Sequence, residues 1–152
     1  MVMIHEIDAN LLEYPLDGIL HSANCQNLFG AGIALRIKNK FPEAYAADCK
    51  TVKGDRFKLG TFSLAVLPSN FHIYNLYGQF SFGGIRPTSY DAVIDGLTKI
   101  EKHARENGLK RLGLPRNMCS VLGGADWRII RTIIETVFDN SSVELFICNY
   151  EG

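Results

Sequence analysis

The chain has no surplus of charge of either sign: sixteen Lys and Arg face sixteen Asp and Glu in 152 residues. That balance gives no field suited to duplex nucleic acid or an anionic membrane, so any anionic ligand must be held by local groups. Long apolar runs are also missing, with nothing approaching the roughly eighteen residues a membrane-spanning helix needs. The opening MVMIHEIDAN carries charge where a secretory signal needs an apolar centre, so a soluble, intracellular, cytoplasmic chain is expected. Cysteine is sparse and scattered. Cys25, Cys49, Cys119 and Cys148 form no CxxC or His-spaced pair, which excludes the usual zinc patterns and leaves free, mostly buried thiols. No metal and no cofactor is expected.

Several catalytic signatures are absent as well. No G-x-x-x-x-G-K-[ST] loop is present and no G-x-G-x-x-G follows the first strand, so nucleoside triphosphate hydrolysis and dinucleotide oxidoreduction lose their usual basis. Ser22 is not in a G-x-S-x-G elbow, which removes the serine-hydrolase triad.

What is present is a globular composition, 47% apolar and 21% charged, enough to build one core without staples. Short apolar runs alternate with segments of helical period, the pattern of an α/β domain whose sheet is covered on both faces. The runs predict strands over residues 2–7, 18–22, 60–67, 71–77, 111–114 and 143–149. The first helix is expected to begin in Gly30-Ala31-Gly32 and run to about Asn39, with Ile33, Ile37 and Phe41 on one face. Pro42 opens a second short helix. Thr88 and Asp91 make a capping pattern for a third, whose stripe is Val93, Leu97, Ile100 and Ala104 and whose end is Gly108. A fourth is expected from about Trp127 to Phe138. With no linker, repeat or low-complexity tract, residues 1–152 read as a single domain.

Fourteen glycines cluster where strands end and helices begin: Gly30 and Gly32, Gly83-Gly84, and Gly123-Gly124. A glycine loop leading into a helix exposes unpaired N–H groups at the positive end of the helix dipole and can hold phosphate without Lys or Arg. Ordinary turns also use glycine, and both readings stand at this point. Just before the first such loop, residues 19–25 form a strand ending in polar groups, which would deliver His21 and Asn24 to the edge of a site at the carboxyl ends of the strands. The alternative for His21 is a strand residue whose ring is satisfied inside the fold.

These segments together resemble a macrodomain, the ADP-ribose-binding fold. Gly18-Ile19-Leu20-His21-Ser22-Ala23-Asn24-Cys25-Gln26 and Gly30-Ala31-Gly32-Ile33-Ala34 resemble the family's Asn-bearing strand end and first phosphate loop. Leu114-Pro115-Arg116 through Gly123-Gly124-Ala125-Asp126-Trp127 resembles the second loop, and Ile73-Tyr74-Asn75-Leu76 with Phe82-Gly83-Gly84 fits the central strand and its loop. Within the family the likeness is to the branch of the ADP-ribose 1″-phosphate phosphatase, its phage homologues and the terminal ADP-ribose glycohydrolase. Two departures are visible. Gly78 and Gln79 stand where the glycohydrolase carries its lysine, and the second loop, Arg116-Asn117-Met118-Cys119-Ser120-Val121-Leu122, is one residue longer and poorer in glycine.

The resemblance implies a three-layer α/β/α architecture with a mixed, about six-stranded central sheet. It implies Asn10 and Leu11 beside the adenine, Gly30 and Ala31 in the ligand-binding loop with backbone donors from Gly32, Ile33 and Ala34 to the diphosphate, and Asn24 at the distal ribose. Cys119, Ser120, Val121, Leu122, Gly123 and Gly124 would close the other side, with Phe82 stacked on the ligand. His21 is expected as nucleophile or general base and Asp126 as the group that orients it or protonates the leaving oxygen. Asp126 is equally a natural N-cap for the helix that follows. The expected function is hydrolysis of ADP-ribose 1″-phosphate to ADP-ribose and phosphate. Binding without turnover, and removal of ADP-ribose from acidic side chains, are the alternatives. The expected partner is ADP-ribose or a derivative, including an ADP-ribosylated protein.

Overall fold

A computed structural model describes residues 3–81, 88–120 and 123–150. Among them lie six strands, β1 (Ile4–Asp8), β2 (Gly18–Asn24), β3 (Phe62–Val66), β4 (His72–Gln79), β5 (Arg111–Pro115) and β6 (Glu144–Asn149), and four helices, α1 (Gly32–Lys40), α2 (Pro42–Cys49), α3 (Tyr90–Glu106) and α4 (Trp127–Val137). The strands form one sheet in the order β1-β6-β5-β2-β4-β3, parallel throughout except for the antiparallel edge β3. The sheet is therefore mixed and six-stranded, as expected. A parallel sheet needs crossovers long enough to carry helices, and these cover both faces.

Alternation along the strands puts two core clusters on opposite faces of the sheet, and a third holds Ala23, Cys25, Phe29 and Tyr77. Leu20, Tyr74, Leu76, Leu112, Leu114, Leu145 and Ile147 pack with the α3 and α4 stripes, including Val93, Leu97, Ile100, Ile130 and Ile134. Their neighbours Ile19, Ile73, Ala65, Phe146 and Cys148 point the other way, against Ile37 of α1 and Ala44 of α2. The opposite facing of His21 and Ser22 follows from this period of two, which the register shift between Ala23 and Asn24 interrupts at the end of β2.

Helix ends mostly follow the sequence signals. Gly108 adopts φ +73°, Leu109 N–H donates to Ala104 O and Gly108 N–H to Arg105 O, so α3 ends in the paired bonds of a glycine-terminated helix. Its start differs from expectation. Ser89, not Thr88, is the N-cap and accepts from Ala92 N–H. Thr88 instead pairs with Gln79 across an isolated bridge, and its hydroxyl donates to Cys119 O at 3.3 Å. A tertiary contact thus takes the residue that local spacing had assigned to the cap.

Candidate active site

Strand β2 and strand β5 end side by side in the sheet, and a cavity of about 670 Å³ opens beyond their carboxyl ends. One wall is the β2 end and the start of α1: Asn24, Gly30, Ala31, Gly32, Ile33 and Ala34. The opposite wall is the loop after β5, with Arg116, Asn117, Met118, Cys119 and Gly123, and Gln79 of β4 borders the cavity as well. A smaller cavity of about 270 Å³ adjoins it on the β1–β6 side, lined by Asn10, Leu11, Arg36, Cys148, Asn149 and Tyr150, and shares Ile33, Pro115, Arg116 and Asn117 with the larger one.

The start of α1 is the most informative local feature. Its capping position is Ala31, in extended backbone, whose methyl accepts no hydrogen bond; Leu35 N–H is the first to find an acceptor, Ala31 O. The N–H groups of the first turn therefore face the cavity without a side-chain cap, at the positive end of a nine-residue helix with no acid in its first turn. Gly32 sits at φ +58°, a conformation that an L side chain adopts only under strain. The turn leading to this point is tied down. Asn24 donates to Leu28 O at 3.0 Å and accepts from Gln26 N–H at 2.8 Å, and Asn27, itself at φ +56°, accepts from Lys58 Nζ at 2.8 Å.

The opposite loop reaches a cradle-like path with little glycine. Asn117 and Cys119 take φ +63° and +69°, and Gly124 +68°. Non-glycine residues held there cost on the order of 1 kcal/mol each, which only a well-determined surround sustains. At Gly123 a side chain is excluded outright, since a Cβ would run into Thr88 Oγ1 and Cys119 O. Burial pushes the Cys119 thiol up to about 11, so it lines the cavity as a neutral SH.

Two residues expected to act on the ligand are placed elsewhere. His21 is fully buried, on the α2 side of the sheet, and is not part of the cavity wall. Asn75 spends its amide hydrogens on Ala44 O (2.9 Å) and Ser63 Oγ (3.0 Å), so its oxygen accepts from His21 Nε2 at 2.7 Å. Nδ1 then carries a lone pair with no partner among the described residues, and the ring packs edge-on against Phe29 at 5.2 Å. Desolvation lowers its pKa to about 4, keeping it neutral. The alternation of β2 is the cause: Ser22, the next residue, reaches the cavity and His21 faces away. Asp126 is likewise absent from the cavity wall. It caps α4, accepting from Arg128 N–H at 2.9 Å and pairing with the Arg128 guanidinium at 2.8 Å; these bonds hold its carboxyl below the usual range, so it stays a carboxylate. In this placement His21 is held by Asn75 and Asp126 by Arg128.

Of the expected ligand contacts, Asn24, Gly30 through Ala34, Cys119 and Gly123 line the larger cavity, while Asn10 and Leu11 line the smaller. Ser120 and Gly124 line neither. Phe82, Val121 and Leu122, with Gly83 and Gly84, lie outside the described residues. Ser22, Ala23, Leu28, Gln79, Pro115, Asn117 and Met118 also line the wall, and none of them is among the expected ligand contacts. Period-two alternation from Asn24 would have found Ser22. The absent lysine has a physical side too. A Cβ at Gly78 would meet Ser22 Oγ at 2.9 Å and Val93 Cγ2 at 3.2 Å, so no long side chain fits there, whereas Gln79 does reach the cavity. Among the described residues no three His, Cys, Asp or Glu side chains converge as a metal site would require, and no helix is long and apolar enough to cross a membrane.

No family model matches the chain. A DNA ADP-ribosyl glycohydrolase of Thermus aquaticus is 23% identical over 140 residues, which take in 90% of this chain but 38% of that protein, so the chain spans well under half of that relative. Among solved structures, the macrodomain of Thermus aquaticus DarG superposes with a TM-score of 0.78 at 22% identity over 99% of both chains. The macrodomain of Mycobacterium tuberculosis DarG gives 0.81 at 20% identity over the whole of both chains. Thermosipho africanus DarTG in complex with ADP-ribose gives 0.81 at 17% identity, covering 96% of this chain and 41% of that one. The mixed six-stranded sheet, its four helices and these likenesses give the chain the macrodomain fold.

Proposed function

We propose that this domain binds ADP-ribose and hydrolyses the bond that joins C1″ of its distal ribose to an attached group. The observation that carries the reading is the uncapped start of α1 facing a cavity of about 670 Å³. The first-turn N–H groups and the helix dipole suit a diphosphate, and Arg116, which borders both cavities, adds a cation near it. The smaller cavity, with Asn10 and Tyr150, suits the adenosine end, and the ends of β2 and β4, with Asn24 and Gln79, suit the distal ribose. Charge-assisted bonds of this kind contribute on the order of 1.5–3 kcal/mol each.

The wall chemistry bears on which group leaves. Arg116 and the protonated Cys119 are the ionisable side chains on the described wall, and neither is a general base at neutral pH. Such a site favours substrates whose leaving group departs as a stable anion: water adds its oxygen to C1″, the C1″ bond to the leaving group breaks with its electron pair, and the water proton ends on solvent or the released group. Phosphate is the first choice, giving ADP-ribose and inorganic phosphate from ADP-ribose 1″-phosphate. A carboxylate side chain meets the same requirement, and the name of the Thermus aquaticus relative adds DNA as a further attachment to test. A second reading, recognition of ADP-ribose without turnover, draws support from the same lack of a base.

Titration calorimetry with ADP-ribose tests the binding claim; absence of binding overturns the whole reading. Release of phosphate from ADP-ribose 1″-phosphate, and of ADP-ribose from a modified single strand or a Glu-modified protein, tests turnover. Binding with none of the three cleaved assigns the domain to recognition alone.

A further inference from the structure

We propose that the smaller cavity takes an adenosine whose ribose carries a phosphate ester on its 2′ or 3′ hydroxyl, with Arg36 as the cation that meets this phosphate. The inference rests on the reading of that cavity as the adenosine end of an ADP-ribose site, and it narrows the ligand to a phosphorylated form.

ADP-ribose keeps its negative charge in the diphosphate, and its adenosine end is neutral. The start of α1 and Arg116 already face the diphosphate position in the larger cavity. Arg36 borders the smaller cavity alone, so ADP-ribose itself offers it no anion. The protein offers none either. Among the described residues Arg36 makes no ion pair, and no Asp or Glu lines this cavity. Asp8, at the end of β1, accepts from Asn149 Nδ2 at 3.4 Å and is not part of the wall, and Glu13 faces Lys40 at 3.9 Å. Burial pushes the Cys148 thiol up to about 11, so it lines the cavity as a neutral SH and offsets no positive charge. In a chain whose charges otherwise balance, this wall is locally selective for an anion.

The place of Arg36 on α1 fits a phosphate on the ribose. It follows Ile33 by three residues and Gly32 by four, so it shares their face of the helix, one turn beyond the diphosphate donors. Ile33 accordingly lines both cavities and Arg36 only the second. One turn is about 5 Å of helix axis, a step that the ribose between a 5′-phosphate and the 2′ or 3′ oxygen spans. The guanidinium is partly buried and lies over the ring of Tyr150, 5.4 Å from its centre, which holds it at the cavity. Asn10, Asn117 and Asn149 add amide groups to the same wall. The planar fork of an arginine meets phosphate oxygens in pairs, which is how dinucleotide sites accommodate a 2′-phosphate on adenosine in place of the bare hydroxyl. Stacking of Arg36 on the adenine is the competing role, and it would serve both forms of the ligand equally.

The test titrates the whole domain calorimetrically with adenosine 5′-monophosphate, adenosine 2′,5′-bisphosphate and adenosine 3′,5′-bisphosphate, and with ADP-ribose alongside. One bisphosphate is expected to bind about tenfold more tightly than the monophosphate at low salt, which identifies the esterified hydroxyl, with the advantage shrinking as salt rises. Arg36→Ala is expected to bring that ratio to about one, and Arg36→Lys to keep part of it, because the charge remains and the paired bonds are lost. Thermal melts confirm that both variants are folded. The proposal is overturned if neither bisphosphate gains over the monophosphate in the unaltered domain. It is overturned equally by an Arg36→Ala variant that keeps the ratio, which assigns the side chain to stacking on adenine. Loss of the advantage in the presence of inorganic phosphate at the bisphosphate concentration overturns it in favour of a free-anion site. If ADP-ribose fails to bind while the ratio and its loss in Arg36→Ala hold, the ADP-ribose reading falls and the ribose-phosphate site stands; binding of ADP-ribose with no bisphosphate advantage removes only the ribose-phosphate site.

Discussion

Two helices begin at the same end of the sheet and begin differently. Helix α4 starts with Asp126, whose carboxylate accepts from Arg128 N–H and pairs with the Arg128 guanidinium. Helix α1 starts with Ala31, whose side chain can accept from nothing, and the N–H groups of its first turn line the cavity. The first arrangement gives the cap's usual stabilisation of about 1 kcal/mol. The second forgoes it and keeps the donors for a ligand. Strand β2 repeats the contrast within two residues: Asn24 and Ser22 reach the cavity, and His21 is locked to Asn75 inside.

The contrast breaks most sharply at Gly32. A Gly32→Glu change puts a carboxylate among the phosphate donors and a side chain at φ +58°, and is expected to lower ADP-ribose affinity more than a hundredfold, read by calorimetry, for a stability loss of about 1–2 kcal/mol. The next effect concerns the locked side of β2. The pKa of His21 falls from its ordinary 6.5 to about 4 on folding, so the unfolded chain binds the proton first as pH drops. Stability from this group is complete above pH 6.5 and is lost as pH falls toward 4, by about 3 kcal/mol in all. Urea midpoints at pH 7 and 4.5 should therefore lie closer together in His21→Asn than in the unaltered chain; an unchanged gap would mean that other groups dominate the acid response.

A smaller effect is expected where α1 is given the cap it lacks. Ala31 has φ −152° and ψ 164°, the extended backbone that a capping residue needs, so Ala31→Asp should gain up to about 1 kcal/mol of stability and weaken ADP-ribose binding about tenfold. The reverse change, Asp126→Ala at α4, should lose about 1 kcal/mol in a thermal or urea melt and leave ADP-ribose affinity and turnover unchanged. Loss of turnover with intact folding would restore the catalytic role that its position off the cavity wall speaks against.

Much of the fold was legible because its signals are local and repeated. The apolar runs located all six strands to within two residues at their ends, apart from the unassigned start at Val2, and the α3 and α4 stripes gave the helices. The glycine loops and Asn24 located the cavity, since a backbone that must come close leaves a visible composition. The roles of His21 and Asp126 were harder to read, because both types suit catalysis and structure equally and only the facing of β2 and the capping geometry separate them. Gln79 and Asn117 enter through tertiary placement: one depends on Gly78 packing against Ser22, the other on a left-handed backbone that no glycine announces.

The central claim is that the open start of α1 recognises the diphosphate of ADP-ribose. It is tested most directly by titrating ADP-ribose calorimetrically into the unaltered domain and Ala31→Asp, with a thermal melt of each. One-to-one binding by the unaltered domain is expected, with a variant that melts higher and binds about tenfold more weakly. A variant that melts higher and binds ADP-ribose with undiminished affinity would contradict it.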